Sequence, residues 1–190
     1  MIDVEGVKTY SNRQALDELA RLASATPAKR AIVEIGVFRG GSLRTMAEST
    51  TAPVYGIDAW GLDNLYQGDS GESGGKYNGD RDMQTAQKLT SHLDNVTLIR
   101  DYSSSAAANY NGPLIGMLYI DAEHTYEAAL ADYRAWKQHL ASDAFIAFDD
   151  YTETFPGVKQ AVDEIIVTDK LARVKVHGGR LAVTRKRVRK

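Results

Sequence analysis

Two hydrophobic patterns alternate along this chain. Short unbroken apolar runs end in a glycine or an acid, and each gives way to a stretch where apolar residues return every three or four positions. The runs at residues 31–35, 54–57, 96–99, 114–120 and 144–148 read as strands. Between them Leu43, Met46 and Ala47, then Met83, Ala86, Leu89 and Leu93, then Tyr126, Leu130, Tyr133, Trp136 and Leu140 mark helical stripes. A last stripe, Val158, Ala161, Val162, Ile165 and Ile166, follows Pro156, which suits a first helical turn. Ahead of them all, Ser11-Asn12-Arg13-Gln14 reads as a capping box with Ser11 as the cap of a helix carrying Leu16, Leu19, Ala20 and Ala23 on one face. Strands without in/out alternation suit a parallel sheet buried on both faces. The prediction is an α/β fold, Rossmann-like and doubly wound, with a mostly parallel seven-stranded sheet. Its last two strands are an antiparallel C-terminal hairpin, residues 171–176 and 180–184 around His177-Gly178-Gly179, added to one edge.

The whole of residues 1–190 reads as one domain, with a helical N-terminal extension at 1–28. Residues 59–80 break the pattern, with six glycines and few apolar side chains. Uncovered segments of that length are often functional lids, and Trp60, Tyr66 and Tyr77 favour a lid over a merely mobile loop. At 43% hydrophobic and 25% charged residues, the 190-residue composition is that of an ordinary globular chain able to bury a core. Cysteine is absent, so disulfides, thiolate nucleophiles and sulfur-ligated metals are excluded. Any metal must be held by oxygen or imidazole. No window is apolar enough to span a membrane, and the first ten residues carry acids, so a cytoplasmic protein without membrane association is expected. The net charge of −2 hides an uneven distribution: five of the 23 basic side chains fall in residues 185–190. That tail reads as a solvated terminus, with a phosphate-rich partner as the competing reading.

In an open parallel sheet, ligands bind beyond the carboxyl ends of the strands, so the residues ending each strand carry the chemistry. The first strand ends in Glu34-Ile35-Gly36-Val37-Phe38-Arg39-Gly40-Gly41-Ser42. Its glycines permit a tight turn and a close ligand approach, and the helix that follows offers N–H groups to an anion; glycine used for sterics alone is the alternative. The spacing matches neither G-x-G-x-x-G nor a P-loop. Asp58 closes the second strand about 20 residues after Gly36, where an acid meets ribose hydroxyls in nucleoside-binding folds, unless it is merely a solvated strand end. Tyr102 and Ser103, after the third strand, are placed to border an adenine. The fourth strand ends in Asp121 and the fifth in Asp149-Asp150. Neighbouring strands would bring these acids together, where they repel unless a cation sits among them. Hard oxygen donors favour Mg²⁺, with Mn²⁺ or Ca²⁺ also fitting. The alternative is that these aspartates cap turns and helices. His124, three residues beyond Asp121, is placed to take a proton from a metal-bound hydroxyl.

Taken together, these motifs resemble those of class I S-adenosylmethionine-dependent methyltransferases. More narrowly they resemble the metal-dependent small-molecule O-methyltransferases of the macrocin O-methyltransferase and cephalosporin-hydroxylase-like group, with catechol O-methyltransferase more distant. The resemblance spans residues 31–166 and rests on Glu34, Gly36, Gly40 and Ser42, on Ile57-Asp58-Ala59-Trp60, on Asp121-x-x-His124-x-Tyr126, and on Asp149-Asp150. It implies that S-adenosylmethionine is bound by Glu34, Gly36, Phe38, Gly40, Ser42, Asp58, Trp60, Tyr102, Ser103 and Asp121. Asp121, Asp149 and Asp150 are then the metal ligands, and His124 with Asp121 the catalytic pair. The catechol enzymes carry a lysine where this chain has His124, and Asp-Asn where it has Asp149-Asp150. The implied reaction is O-methylation of a small hydroxylated molecule: a sugar, diol or catechol. A non-catalytic cofactor-binding module and a nucleic-acid methyltransferase are the rival readings. The latter is disfavoured by the absence of an Asn/Asp-Pro-Pro-Tyr-like segment at Asp121. Homo-oligomerisation is left open.

Overall fold

The computed structural model of the chain describes residues 2–4, 7–9, 11–62 and 78–186. Two short strands, β1 (Ile2–Val4) and β2 (Val7–Thr9), pair antiparallel ahead of helix α1 (Arg13–Ser24). The purely helical reading of residues 1–28 is therefore corrected: β-branched Ile2, Val4, Val7 and Thr9 favour extended backbone. The cap also moves by one residue. Asn12, not Ser11, is the N-cap, and its side chain accepts the Ala15 N–H at 3.0 Å.

From there strand and helix alternate: β3 (Ala31–Ile35), α2 (Gly41–Glu48), β4 (Val54–Asp58), α3 (Gly79–Thr90), β5 (Val96–Arg100), α4 (Ser103–Ala108), β6 (Ile115–Ile120), α5 (Tyr126–Trp136), β7 (Leu140–Phe148) and α6 (Pro156–Thr168). A hairpin of β8 (Lys175–His177) and β9 (Leu181–Arg185) follows. The main sheet runs β5-β4-β3-β6-β7-β9-β8, parallel from β5 to β7. β9 then inserts antiparallel beside β7, with β8 outside it. The expected seven-stranded, doubly wound sheet is the fold observed. Chain order reverses between β3 and β6, so their carboxyl tips flank the crevice where such sheets bind ligands.

The sheet is the middle of three layers. One face packs against α4, α5 and α6 through residues such as Val33, Ile35, Leu118, Tyr133, Trp136 and Ala161. The other packs against α1, α2 and α3 through Leu19, Ile32, Leu43, Met46, Met117 and Tyr119. β3 is fully buried along its length, and alternation puts Glu34 on the second face beside Ile32. A carboxylate with no exposed surface among aliphatic residues needs a purpose.

Several expectations shift. The fifth predicted strand begins at Leu140 instead of at residue 144, and α4 escapes the periodicity because its six Ser and Ala residues carry no apolar stripe. The 59–80 lid reading changes at both ends. Trp60 is fully buried in the core, its indole donating to the Phe38 carbonyl at 2.8 Å, and Gly79 and Asp80 belong to α3. Gly79 packs so tightly that a Cβ there would lie 1.8 Å from the Trp60 carbonyl oxygen. Tyr66 and Tyr77 lie outside the described residues. The basic tail starts exposed but tethered: Arg185 ends β9 and donates to the Asp143 carbonyl, and Lys186 donates to the Leu140 carbonyl. Residues 187–190 lie outside the described residues. Among the described residues no helix is long and apolar enough to cross a membrane.

Candidate active site

The glycine turn after β3 is shaped by contact as much as by any ligand. Gly36 has φ +86°, and a Cβ there would lie 2.0 Å from the Asp121 carbonyl oxygen, so this position is glycine because the β3 and β6 tips touch. Gly40 (φ +84°) is the N-cap of α2, and Phe38 shares the left-handed backbone at φ +52°. The turn is held by Asp58, whose carboxylate accepts N–H bonds from Val37 (3.0 Å), Phe38 (2.8 Å) and Trp60 (2.7 Å). Burial pushes the Asp58 carboxyl above its ordinary range, and the three amides offset only part of that. Its oxygens keep capacity for a further donor, since an ionised carboxylate offers about four lone-pair sites.

Beneath the turn, Ser42 of α2 donates a short hydrogen bond to Glu34 Oε1, while Glu34 Oε2, although buried, has no hydrogen-bond partner among the described residues. Burial, with the charges of Asp58 and Asp149 nearby, pushes the Glu34 carboxyl up to about 8 against the pull of Ser42. An orphaned carboxylate oxygen beside a ligand crevice suits a donor or cation that a ligand brings.

On the other side of the crevice lie the acids. Asp121, at the tip of β6, accepts the Tyr119 hydroxyl at 3.0 Å. Burial, then the charges of Asp149 and Asp150, hold its carboxyl well above the ordinary value. Asp150, itself in left-handed backbone (φ +55°), places Oδ2 2.7 Å from His124 Nε2. The His124 ring lies against Phe155, centroids 4.4 Å apart. Asp121, His124 and Asp150 each offer a ligand atom, all within 4.8 Å of one another.

Asp149 does not join them, which corrects the expected metal set of Asp121, Asp149 and Asp150. Arg180 forks onto Asp149, Nε to Oδ1 at 2.8 Å and Nη2 to Oδ2 at 3.0 Å, and reaches Asp150 Oδ1 at 2.5 Å. Ser11 adds a 3.3 Å bond to Asp149 Oδ2. The side chain at 149 continues the alternation of β7 toward α1, whereas the turn of backbone at Asp150 directs its carboxylate to the crevice. Burial disfavours the Arg180 charge, but Asp149, Asp150 and Asp121 outweigh it and hold the guanidinium pKa above its ordinary value.

Arg180, Ser11 and Tyr119 are the residues of the candidate site that sequence reasoning missed. Arg180 follows the glycine pair of the hairpin turn, the one local sign that a side chain is presented there. Of the residues expected near an adenine, Tyr102 is exposed, while the Ser103 hydroxyl is engaged by the Trp136 indole at 3.0 Å. That bond serves the α4–α5 contact. Trp60, expected to touch a cofactor, has no exposed surface: its N–H is spent on Asp58 and its carbonyl accepts Arg100 Nη2 at 2.9 Å, so it supports the turn from within the core.

Residues 33–151, well over half of the chain, match the family described as Methyltransferase domain. Uncharacterized protein R132 of Acanthamoeba polyphaga mimivirus is 30% identical over 147 residues, and the match covers 70% of this chain and 58% of that relative. Among solved structures, cofactor-bound Rv0187 from MTB superposes with a TM-score of 0.72 at 15% identity, over 95% of this chain and 83% of that one. CalS11, a TDP-rhamnose 3′-O-methyltransferase of calicheamicin biosynthesis, superposes with a TM-score of 0.62 at 21% identity, over 90% and 77%. With the doubly wound sheet, the reversal between β3 and β6 and the match over residues 33–151, the chain belongs to the methyltransferase-domain family.

Proposed function

We propose that this chain catalyses S-adenosylmethionine-dependent O-methylation of a small hydroxylated molecule such as a sugar, diol or catechol. The observation that carries the reading is the buried, unpartnered Oε2 of Glu34 beneath the glycine turn, a position suited to a positively charged cofactor. Glu34, Gly36, Phe38, Gly40, Asp58 and Tyr102 would hold that cofactor, with Ser42 fixing Glu34. When bound, it supplies a methyl group already activated on a sulfonium. The protein's own task is to orient an acceptor hydroxyl and remove its proton.

His124 stands where it can do so. Asp150 Oδ2, 2.7 Å from Nε2, fixes the ring and favours the tautomer in which Nε2 donates and Nδ1 accepts the acceptor's proton. The same two residues with Asp121 also fit a divalent cation: oxygen donors with one imidazole, where burial and then the neighbouring acids raise the Asp121 carboxyl. Such an ion would lower the pKa of a coordinated hydroxyl. The fold likeness to the sugar-directed CalS11 is in keeping with a hydroxylated acceptor.

The test is methyl transfer from labelled S-adenosylmethionine to a panel of sugars, diols and catechols, with Mg²⁺ and with chelator, beside calorimetric titration with S-adenosylhomocysteine. His124→Ala should keep S-adenosylhomocysteine binding and lose turnover by about 100-fold or more. Activity that survives chelation assigns His124 to proton transfer, and activity that disappears assigns it to the ion. No binding of S-adenosylhomocysteine sinks the reading.

A further inference from the structure

Arg180 takes no part in the chemistry described above, yet its guanidinium bonds both Asp149 and Asp150. Its delivery is rigid. It leaves a hairpin turn whose Gly178 carbonyl accepts from Asn12 Nδ2 at 2.7 Å, and its own carbonyl accepts the Tyr151 N–H at 2.9 Å. Gly178 lies so close to Asn12 that a Cβ would sit 2.2 Å from the amide oxygen. A guanidinium so anchored, with Nε and Nη2 on both oxygens of a carboxylate only 1% exposed, is a built component and not a surface arm. Both Asp149 oxygens and one oxygen of Asp150 are thereby engaged by a fixed positive charge.

We propose that Arg180 is a resident counter-ion that competes with divalent metal, withdrawing Asp149 from coordination and confining an added cation to Asp121, His124 and the second oxygen of Asp150. Three carboxylates at adjoining strand tips repel one another, and any cation relieves them. Here the chain supplies one itself, so the remaining sector holds an added ion weakly. The inference rests on the cation-binding part of the proposed function and leaves the methyl-transfer part untouched.

The experiment is Mn²⁺ titration of the full chain followed by electron paramagnetic resonance, without cofactor or acceptor. Arg180→Met should bind Mn²⁺ at least about tenfold more tightly than the parent, and adding Asp149→Asn should erase the gain. Asp149→Asn alone should stay within about threefold of the parent, whereas Asp121→Asn should cost more than about tenfold. Should Arg180→Met not fold, Arg180→Lys, which keeps the charge but not the fork, replaces it, and some tightening is expected. No tightening in either Arg180 variant, a loss of about tenfold from Asp149→Asn alone, or no Mn²⁺ binding in any variant overturns the proposal. Failure of the methyl-transfer reading would instead appear in the S-adenosylhomocysteine titration, which these outcomes leave unchanged.

Discussion

The two sides of the crevice neutralise their acids by different means. At the β3–β4 side, Asp58 is held by peptide N–H groups from Val37, Phe38 and Trp60. At the β6–β7 side, Asp149 is held by the guanidinium of Arg180. Only Trp60 is a near neighbour of Asp58, while Val37 and Phe38 lie 21 and 20 residues before it, so the first solution ties the turn after β3 to the tip of β4 and shapes the turn it stabilises. An arginine fork carries a full charge where the amides carry only partial ones, and the second solution links the site to the hairpin of β8 and β9 and, through Ser11 and Asn12, to the start of α1.

The sharpest way to break this comparison is to remove each acid in turn. Asp149→Ala leaves Arg180 without its fork in a largely buried setting and should cost about 3 kcal/mol in urea unfolding, in the range for removing one partner of a buried pair. Asp58→Ala strips the acceptor from three N–H groups and should cost about 2 kcal/mol, while also weakening S-adenosylhomocysteine binding by calorimetry. Equal salt sensitivity of the two losses would blur the distinction, because only the first removes an ion pair.

Glu34 sharpens it in a third way, since neither device serves it fully. Its carboxyl rises from an ordinary 4.5 to about 8, so the folded chain holds a proton that the unfolded chain has released. Stability contributed by this group is therefore present below about pH 4.5 and lost as pH climbs to about 8, by at most about 1.4 kcal/mol per pH unit. Melts of Glu34→Gln across that window should show a flatter profile than the parent; an unchanged profile would mean that Glu34 ionises normally.

The alternating strand and helix pattern was legible because each element carries its own period, and the strand-end acids were legible because each closes an apolar run. Asp149 was legible as an acid at the site but not as one already paired. Nothing near residue 149 announces a guanidinium at 180, since the contact depends on β9 inserting beside β7 and on the turn that follows β8. Ser11 is visible in the sequence only as a capping residue. Asn12 took the cap, and the Ser11 hydroxyl went to Asp149. Trp60 sat in a glycine-rich stretch that signals a loop, yet the indole found a carbonyl at Phe38 and a place in the core. In each case the deciding partner is distant along the chain, where local periodicity carries no information.

That Arg180 comes from the final hairpin has a consequence for how the molecule is made. During synthesis, the segments bearing Asp121, Asp149 and Asp150 emerge before the only guanidinium among the described residues that joins Asp149 to Asp150. A nascent or proteolysed product stopping short of that hairpin would lack the charge that joins Asp149 to Asp150, so the acid cluster is completed only after the β8–β9 turn has been added.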